Sequence, residues 1–259
     1  MRDAFASPLL RKGLLRKGLL RKGLLKKGLL TLGLLMLGPV AACGGDDGPP
    51  VDGVDAVALL AASATRTEQV ESFHFVLEHE RGVTEIVRGV SMERAEGDVA
   101  GGQRMRVEIE GSAGPLNIEL GIVILDDESW ITNPLTGRWE REQISIEELF
   151  DPAIGVTALM RAVTAPRVTG TDRIGDVQAY RVEATVDSGK VQLFGDPQPG
   201  QTLKATAWVG ADDPLVLRIE LEGPLQRGER EDLVRRITLS RFDSDPEIVA
   251  PADGVNGTK

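Results

Sequence analysis

Apolar and polar residues alternate with a period of two in six segments of the chain after residue 70. Alternating segments run over residues 73–78, 105–110, 180–186, 203–209, 215–221 and 237–240. Strict alternation is typical of strands with one buried and one exposed face. Turn residues such as Asn133-Pro134 and Gly175-Asp176 separate these segments. The pattern predicts an antiparallel meander of about eight strands.

Two segments have helical spacing instead. Asp55 is predicted to cap a helix that carries apolar residues at intervals of three and four. Asp151 and Pro152 predict the start of a second helix, since Asp accepts first-turn amides and Pro fits the first helical position. The apolar face of this second helix is predicted to comprise Val156, Leu159, Met160 and Val163. Pro166 is predicted to end it.

The predicted sheet is wider than the predicted helices. About eight strands at ~4.8 Å spacing span nearly 40 Å, whereas two helices of ~10 Å diameter cover about half of that width. Either the sheet curls until the gap closes, or an apolar cavity stays open for a ligand. Aromatic residues make up 4% of the chain, and an aliphatic wall suits flexible acyl chains better than flat ring cofactors. An ordinary sheet-and-helix core would have the same composition.

Inward-facing apolar positions of the strands and the second helix are the candidate lining of such a cavity. They are Phe73, Phe75, Leu77, Met105, Val107, Ile109, Ile118, Leu120, Val156, Leu159, Met160, Val163, Tyr180, Val182, Ala207, Leu217 and Ile219. No catalytic or metal-binding residue is predicted, and no phosphate-binding or nucleophile motif occurs. His74 and His79 are five residues apart on one strand and therefore point to opposite faces. The chain is not predicted to be an enzyme.

The first 42 residues differ from the rest and are predicted to be a signal peptide. Residues 1–28 hold nine basic residues against one acidic residue, and a pentad of the type Arg-Lys-Gly-Leu-Leu repeats from Arg11 to Leu30. An apolar run of 14 residues follows, from Leu29 to Ala42. It is too short to cross ~30 Å of hydrocarbon but has the length of a signal-peptide core.

Cys43 is the predicted lipidation site. Val40-Ala41-Ala42-Cys43 resembles the bacterial lipobox, in which the thiol receives diacylglycerol and the peptide is cut before the cysteine. Because Cys43 is the only cysteine, we expect no disulfide. The one covalent attachment that we expect is the acyl anchor on Cys43, with chains such as palmitate. Residues 43–54 are predicted to form a flexible Gly/Asp/Pro tether, 55–251 the folded domain and 252–259 a disordered tail.

Charge narrows the partners of the exported domain. Residues 29–259 hold 21 basic and 39 acidic residues, a formal net charge of −18. This charge excludes nucleic acid, whose phosphates require a positive surface. It also disfavours peripheral docking on anionic headgroups. We therefore expect the chain to reach the extracytoplasmic face of the plasma membrane through its lipid anchor alone.

Short motifs along the domain resemble the LppX/LprA/LprF/LprG lipoprotein family. The matching residues are Ser72-Phe73-His74-Phe75, Gly97-Asp98-Val99, Asp127 to Ile131, Trp139, Asp151-Pro152 with Gly155, Val168-Thr169-Gly170, Gly175-Asp176-Val177, Ala207-Trp208-Val209, Pro214-Leu215, Ile237 to Ser240 and Pro251. Their order and spacing after a lipobox carry the resemblance, which spans residues 55–251. The pentad repeat and the strongly acidic domain depart from the family pattern.

This resemblance implies an α+β fold: a curved antiparallel half-barrel sheet, similar to the LolA and LolB carriers, with helices packed on its concave face and an apolar cavity enclosed. It also implies a carrier that binds a lipid or an acylated glycolipid and moves it from the plasma membrane toward the outer envelope, with a membrane lipid exporter as a candidate partner. A structural or interaction lipoprotein with a closed core and no ligand is the alternative. An extracytoplasmic hydrolase is the least favoured hypothesis.

Overall fold

A computed structural model of the chain describes residues 48–86, 89–101, 103–144, 152–191 and 198–252, with only the backbone described at 152–154. The predicted signal peptide, Cys43 and nearly all of the predicted tail lie outside these residues. The helices are α1 (Ala56–Thr67) and α2 (Pro152–Ala162). The strands are β1 (Ser72–Glu80), β2 (Thr84–Glu85), β3 (Ser91–Ala100), β4 (Arg104–Ala113), β5 (Leu116–Leu125), β6 (Glu128–Thr132), β7 (Trp139–Arg141), β8 (Thr164–Ile174), β9 (Val177–Asp187), β10 (Thr202–Gly210), β11 (Val216–Glu222) and β12 (Val234–Ser240).

The strands form one antiparallel sheet in the order β7-β6-β5-β4-β3-β1-β12-β11-β10-β9-β8, with β2 paired to β3. The predicted meander is correct within each half of the chain but misses the join between the halves, where β1 pairs with β12. The described residues contain twelve strands rather than about eight. Strands β2, β6 and β7 are too short, at two, five and three residues, to show a clear period in the sequence.

The start of α1 is the predicted one. Asp55 has an extended backbone, and its Oδ1 accepts hydrogen bonds from the amides of Val57 (2.9 Å) and Ala58 (3.2 Å). These bonds satisfy two of the donors that a helix N-terminus leaves open. The capping residue therefore fixes where the chain turns from the tether into the helix.

The predicted end of α2 is wrong by several residues. The helix ends at Ala162, and Val163 closes it by donating its amide N–H to the carbonyl of Leu159 (3.2 Å). Strand β8 begins at Thr164, so Pro166 lies in a strand and does not stop the helix. Ala165 has a positive φ of 51°, and the pairing of β8 with β9 is irregular between Thr164 and Arg167. An edge strand tolerates Pro and such bulges, which also protect it from pairing with other chains.

Both helices pack on the concave face of the sheet, as the half-barrel prediction requires. Leu60 of α1 and Val156, Leu159 and Met160 of α2 join one apolar cluster with the inward-facing strand residues. The helices lie over β8 to β11. Over the other half of the sheet, Ile86, Val90 and Ile144 pack against the same cluster. The fold is thus an α+β half-barrel whose core fills the trough of the sheet.

Candidate functional site

The concave face brings together nearly all of the predicted cavity residues. Thirteen of them are buried in the single large apolar cluster, namely Phe73, Phe75, Leu77, Met105, Val107, Ile109, Ile118, Leu120, Val156, Leu159, Met160, Val182 and Ile219. Val163 and Ala207 are partly buried and pack against that cluster. The period-two pattern therefore identified the correct face on most strands.

Two apolar hollows lie in this trough. The first, the sheet hollow, is lined by Phe75, Leu77, Ile86, Met92, Ala95, Met105, Val107 and Ile109 and has a volume of about 20 Å³. The second, the helix hollow, lies between the helices and β9 to β11. It is lined by Leu60, Leu159, Met160, Val163, Val182, Ala184, Ala205, Thr206, Ala207 and Ile219 and also holds about 20 Å³. Each has room for roughly one water molecule.

One of the predicted cavity residues lies on the wrong face of the sheet. Leu217 packs on the convex face with Ala179, Trp208 and Leu215. The cause is a β-bulge, because Trp208 pairs with Arg218 while Val209 pairs with Val216, and the extra residue reverses the direction of Leu217. Tyr180 is half-buried and pairs with Val209 of the large apolar cluster, so it lies on the predicted face.

Several lining residues escaped the sequence prediction. Met92 and Ala95 lie on β3, where an irregularity between residues 92 and 94 breaks the alternation. Ile86 comes from the short segment after β2, which has no periodic signal. Ala205 lies two residues before the predicted Ala207 in the same alternating segment, so the period-two pattern was sufficient to find it.

A buried polar group adjoins the sheet hollow. On β1, His79 follows Leu77 on the same face, and it pairs with Arg235 of β12. Arg235 is fully buried and forms an ion pair with Glu229, whose side chain is 7% exposed. Its Nε donates to Thr84 Oγ1 (2.9 Å), and a terminal nitrogen donates to the carbonyl of Gly223 (3.0 Å). This polar group closes one end of the trough.

The hydrogen bonds fix the protonation of His79. The carbonyl of Glu93 beside Nδ1 can only accept, and burial keeps the ring neutral, so Nε2 is left to accept from the hydroxyl of Thr84 (2.8 Å). The proton of the ring therefore sits on Nδ1, which donates to the carbonyl of Glu93 (3.0 Å). Burial lowers the pKa of His79 to about 4, and the nearby Arg235 charge adds to this effect. The imidazole is neutral at pH 7.

Acid is expected to destabilise the protein through His79. The unfolded chain binds a proton near pH 6.5 and the folded chain only near pH 4, so the free energy of unfolding falls as the pH drops between these values. A shift of this size corresponds to about 3 kcal/mol as an upper limit. Urea denaturation at pH 7 and at pH 4 measures how far the free energy of unfolding falls in acid. This decrease should be smaller in His79→Gln than in the wild type. The control is His74→Gln, which removes the histidine on the convex face and should keep the part of the decrease that is due to His79. Equal decreases in the wild type and in His79→Gln would contradict the lowered pKa of His79.

The sequence of residues 55–245 matches the LppX_LprAFG lipoprotein family. The chain belongs to this family. It is 26% identical over 184 residues to the lipoarabinomannan carrier protein LprG of Mycolicibacterium smegmatis, which covers 65% of this chain and 73% of LprG. A segment of 70 residues is 30% identical to LppX of Mycobacterium tuberculosis, named as a candidate phthiocerol dimycocerosate transporter. That match spans 27% of this chain and only 30% of the length of LppX.

Solved structures of family members confirm the fold. LprF of Mycobacterium bovis superposes with a TM-score of 0.60 at 18% identity and covers 76% of this chain and 97% of its own. LppX of Mycobacterium tuberculosis gives a TM-score of 0.57 at 18% identity, with 75% and 98% coverage. The LppX_LprAFG half-barrel with two helices in its trough is therefore the architecture of this chain.

Among the residues that the structure describes, none of the helices has the length and apolar character needed to cross a membrane. Within the same residues, no group of three or more His, Cys, Asp or Glu side chains is arranged to hold a metal ion.

Proposed function

We propose that this LppX_LprAFG protein is a non-catalytic lipid carrier, anchored by acylated Cys43 on the extracytoplasmic face of the plasma membrane. It binds acyl chains of a lipid or an acylated glycolipid between the sheet and the helices and carries them toward the outer envelope. The signal peptide 1–42 directs export, and a membrane lipid exporter is the proposed donor. The names of LprG and LppX as carrier and transporter support this proposal.

The observation that carries the proposal is the chemistry of the trough. Both hollows are lined almost entirely by apolar side chains, with Thr206 the one polar residue of the two linings. Methionines supply part of each lining, with Met92 and Met105 in the sheet hollow and Met160 in the helix hollow. Methionine is unbranched and adapts to irregular ligands, so these walls suit acyl chains of varying shape.

The hollows are too small to hold an acyl chain unless their walls move. Ligand pockets have volumes of about 300–1,000 Å³, whereas each hollow holds about 20 Å³. An acyl chain therefore enters only if the helices or the segments over β3 and β4 move outward. The same small volume favours the alternative, a structural lipoprotein whose trough is a closed core. A direct measurement of bound lipid separates the two functions.

Native mass spectrometry of the full chain, expressed in a bacterium and extracted from its membranes, is expected to show bound diacyl or triacyl lipid. Ala95→Phe fills the sheet hollow, and Ala207→Phe fills the helix hollow. Because each hollow has room for only about one water molecule, each variant should lower lipid occupancy at least about twofold. Leu116→Phe adds the same ring at a site that is 54% exposed and should leave occupancy unchanged.

Denaturation distinguishes the two kinds of lipid in this experiment. Acyl groups on Cys43 are covalent and remain with the chain, whereas a carried lipid is released. Circular dichroism checks that the variants are folded. A wild-type protein that always emerges empty would contradict the carrier and favour the structural lipoprotein.

A further inference from the structure

Two buried hydroxyl groups of α1 have no hydrogen-bond partner among the residues that the structure describes. Ser63 has no exposed surface, and Thr67 is 6% exposed. Within those residues, neither Ser63 Oγ nor Thr67 Oγ1 forms a hydrogen bond. Most buried polar side chains do form one, because a hydroxyl that leaves water without a new partner is costly. A bound molecule that brings an acceptor to these hydroxyls would remove that cost.

Both hydroxyls lie on the face of α1 that packs into the trough. The buried residues of this helix are Ala56, Leu60, Ser63, Ala64 and Thr67. At ~100° per residue, Thr67 lies within about 20° of Leu60 around the helix axis and Ser63 within about 60°. Leu60 lines the helix hollow. The two hydroxyls therefore extend the wall of the helix hollow toward the C-terminal end of α1.

Polarity rises along this face in the same direction. At ~1.5 Å per residue, Ser63 and Thr67 lie about 4.5 and 10.5 Å along the axis from Leu60. Glu68, the next residue, forms an ion pair with Arg161 of α2, and these two side chains are 46% and 51% exposed. The face thus passes from an apolar hollow through two hydroxyls to a charged surface. An ester-linked acyl lipid has the same order of hydrocarbon chain, carbonyl group and polar headgroup.

The hydroxyls also favour one kind of acceptor. A Ser or Thr hydroxyl donates one hydrogen bond and carries no charge. A neutral carbonyl oxygen can accept that bond without adding a buried charge, whereas a carboxylate at this depth would need a counter-charge. Residues four apart on a helix have their Cβ atoms ~5–6 Å from each other. Two such donors suit the two ester groups of a diacyl lipid.

From the unpaired hydroxyls, their place beside the helix hollow and the order of polarity along α1, we infer that Ser63 and Thr67 form a subsite for the ester carbonyls of the carried lipid. The acyl chains extend from this subsite toward Leu60 and the helix hollow, and the headgroup lies at the C-terminal ends of the helices. This inference rests on the proposed lipid-carrier function and names its ligand class, an ester-linked acyl lipid.

Competition between an ester lipid and its ether analogue tests the subsite. Dipalmitoylglycerol has two ester carbonyls, whereas dihexadecylglycerol has the same chain length with ether links. The full chain, extracted from the membranes of its host, is incubated with equal amounts of both in detergent micelles, and native mass spectrometry measures the bound lipid. The wild type is expected to bind the ester at least about fivefold more than the ether, given the usual strength of such hydrogen bonds.

The double variant Ser63→Ala with Thr67→Val removes both hydroxyls with little change in side-chain size. Its ester-to-ether ratio should fall to near one. Thr65→Val is the control, because Thr65 is exposed and its hydroxyl donates to the carbonyl of Ala61 (3.1 Å). This control should keep the wild-type ratio. In urea, the empty double variant should unfold at the same midpoint as the wild type or a higher one, since it loses only hydroxyls that lack partners in the described part of the chain.

The outcomes separate the subsite from the carrier function. A wild type that binds both lipids equally, or that is extracted with lipid containing no ester group, would overturn the subsite and leave the carrier intact. A wild type that binds neither lipid and is always extracted empty would contradict the carrier and the subsite with it. A double variant that keeps the ester preference, or that unfolds at a lower urea concentration, would also overturn the subsite. An ester preference lost in the double variant and kept in Thr65→Val supports it.

Discussion

Glu229→Gln is expected to lower the free energy of unfolding by about 3–5 kcal/mol, because it leaves a buried guanidinium without its counter-charge. Arg235 has no exposed surface. Burial lowers the pKa of the Arg235 guanidinium, and the Glu229 carboxylate opposes that shift. Glu229 also accepts hydrogen bonds from the amides of Leu225 (2.7 Å) and Gln226 (2.9 Å), so it holds the loop before β12 in place. Urea denaturation at pH 7 measures the loss.

A surface ion pair on the same loop provides the control. Arg230 Nε lies 2.8 Å from Asp232 Oδ1, but the two side chains are 66% and 46% exposed. Arg230→Met should therefore change stability little, since water screens exposed pairs. The double variant Glu229→Gln with Arg235→Met should recover much of the loss, because it removes both buried charges while the Gln side-chain oxygen can still accept from the amides of Leu225 and Gln226. A loss in Glu229→Gln no larger than in Arg230→Met would contradict the buried pair.

The ion pair between Arg235 and Glu229 could not be predicted from the pattern of the sequence. Alternation continued back from Ile237 places Arg235 on the inward face of β12, whereas the charge of arginine favours the surface. The conflict is resolved by Glu229, which reaches Arg235 only after the preceding loop has folded over β2 and β12. A pairing across a loop has no periodic signature in the sequence, so the polar end of the trough was not predicted.

Local signals explain the successful predictions. Asp55 caps α1 through bonds to residues two and three positions away, and β1 pairs with β3 and β12 without a shift in register. Predictions that depended on how residues pair between neighbouring strands were less accurate. The bulge opposite Trp208 reversed Leu217, because a single extra residue turns every side chain before it to the other face. The pairing of β1 with β12, more than 150 residues apart, likewise depends on the whole fold.

The small volume of the hollows depends on segments that have no periodic pattern in the sequence. Ile86, Val90 and Ile144, from segments between strands, also cover the concave face and leave about 20 Å³ in the sheet hollow. A ligand therefore reaches the concave face only if these covering segments move outward. Stability measurements with and without lipid test this requirement.

Phe75→Ala is expected to lower the free energy of unfolding by about 3–5 kcal/mol, the usual cost of removing a buried phenyl ring. Phe75 has no exposed surface, lines the sheet hollow and lies over Gly97, where an added Cβ would be 3.1 Å from Phe75 Cε1. Urea denaturation measures the loss. Phe242→Ala, which removes the same ring from a half-buried site outside both hollows, should cost less.

The same variant links stability to the proposed function. A ligand that binds only the folded state raises its stability according to its concentration relative to Kd. If acyl chains occupy the sheet hollow, the space left in Phe75→Ala accommodates them with less displacement of its walls. Saturating palmitate should then stabilise Phe75→Ala by more than it stabilises Phe242→Ala. Equal stabilisation of the two variants would place the lipid elsewhere, and no stabilisation of either would favour a closed structural core.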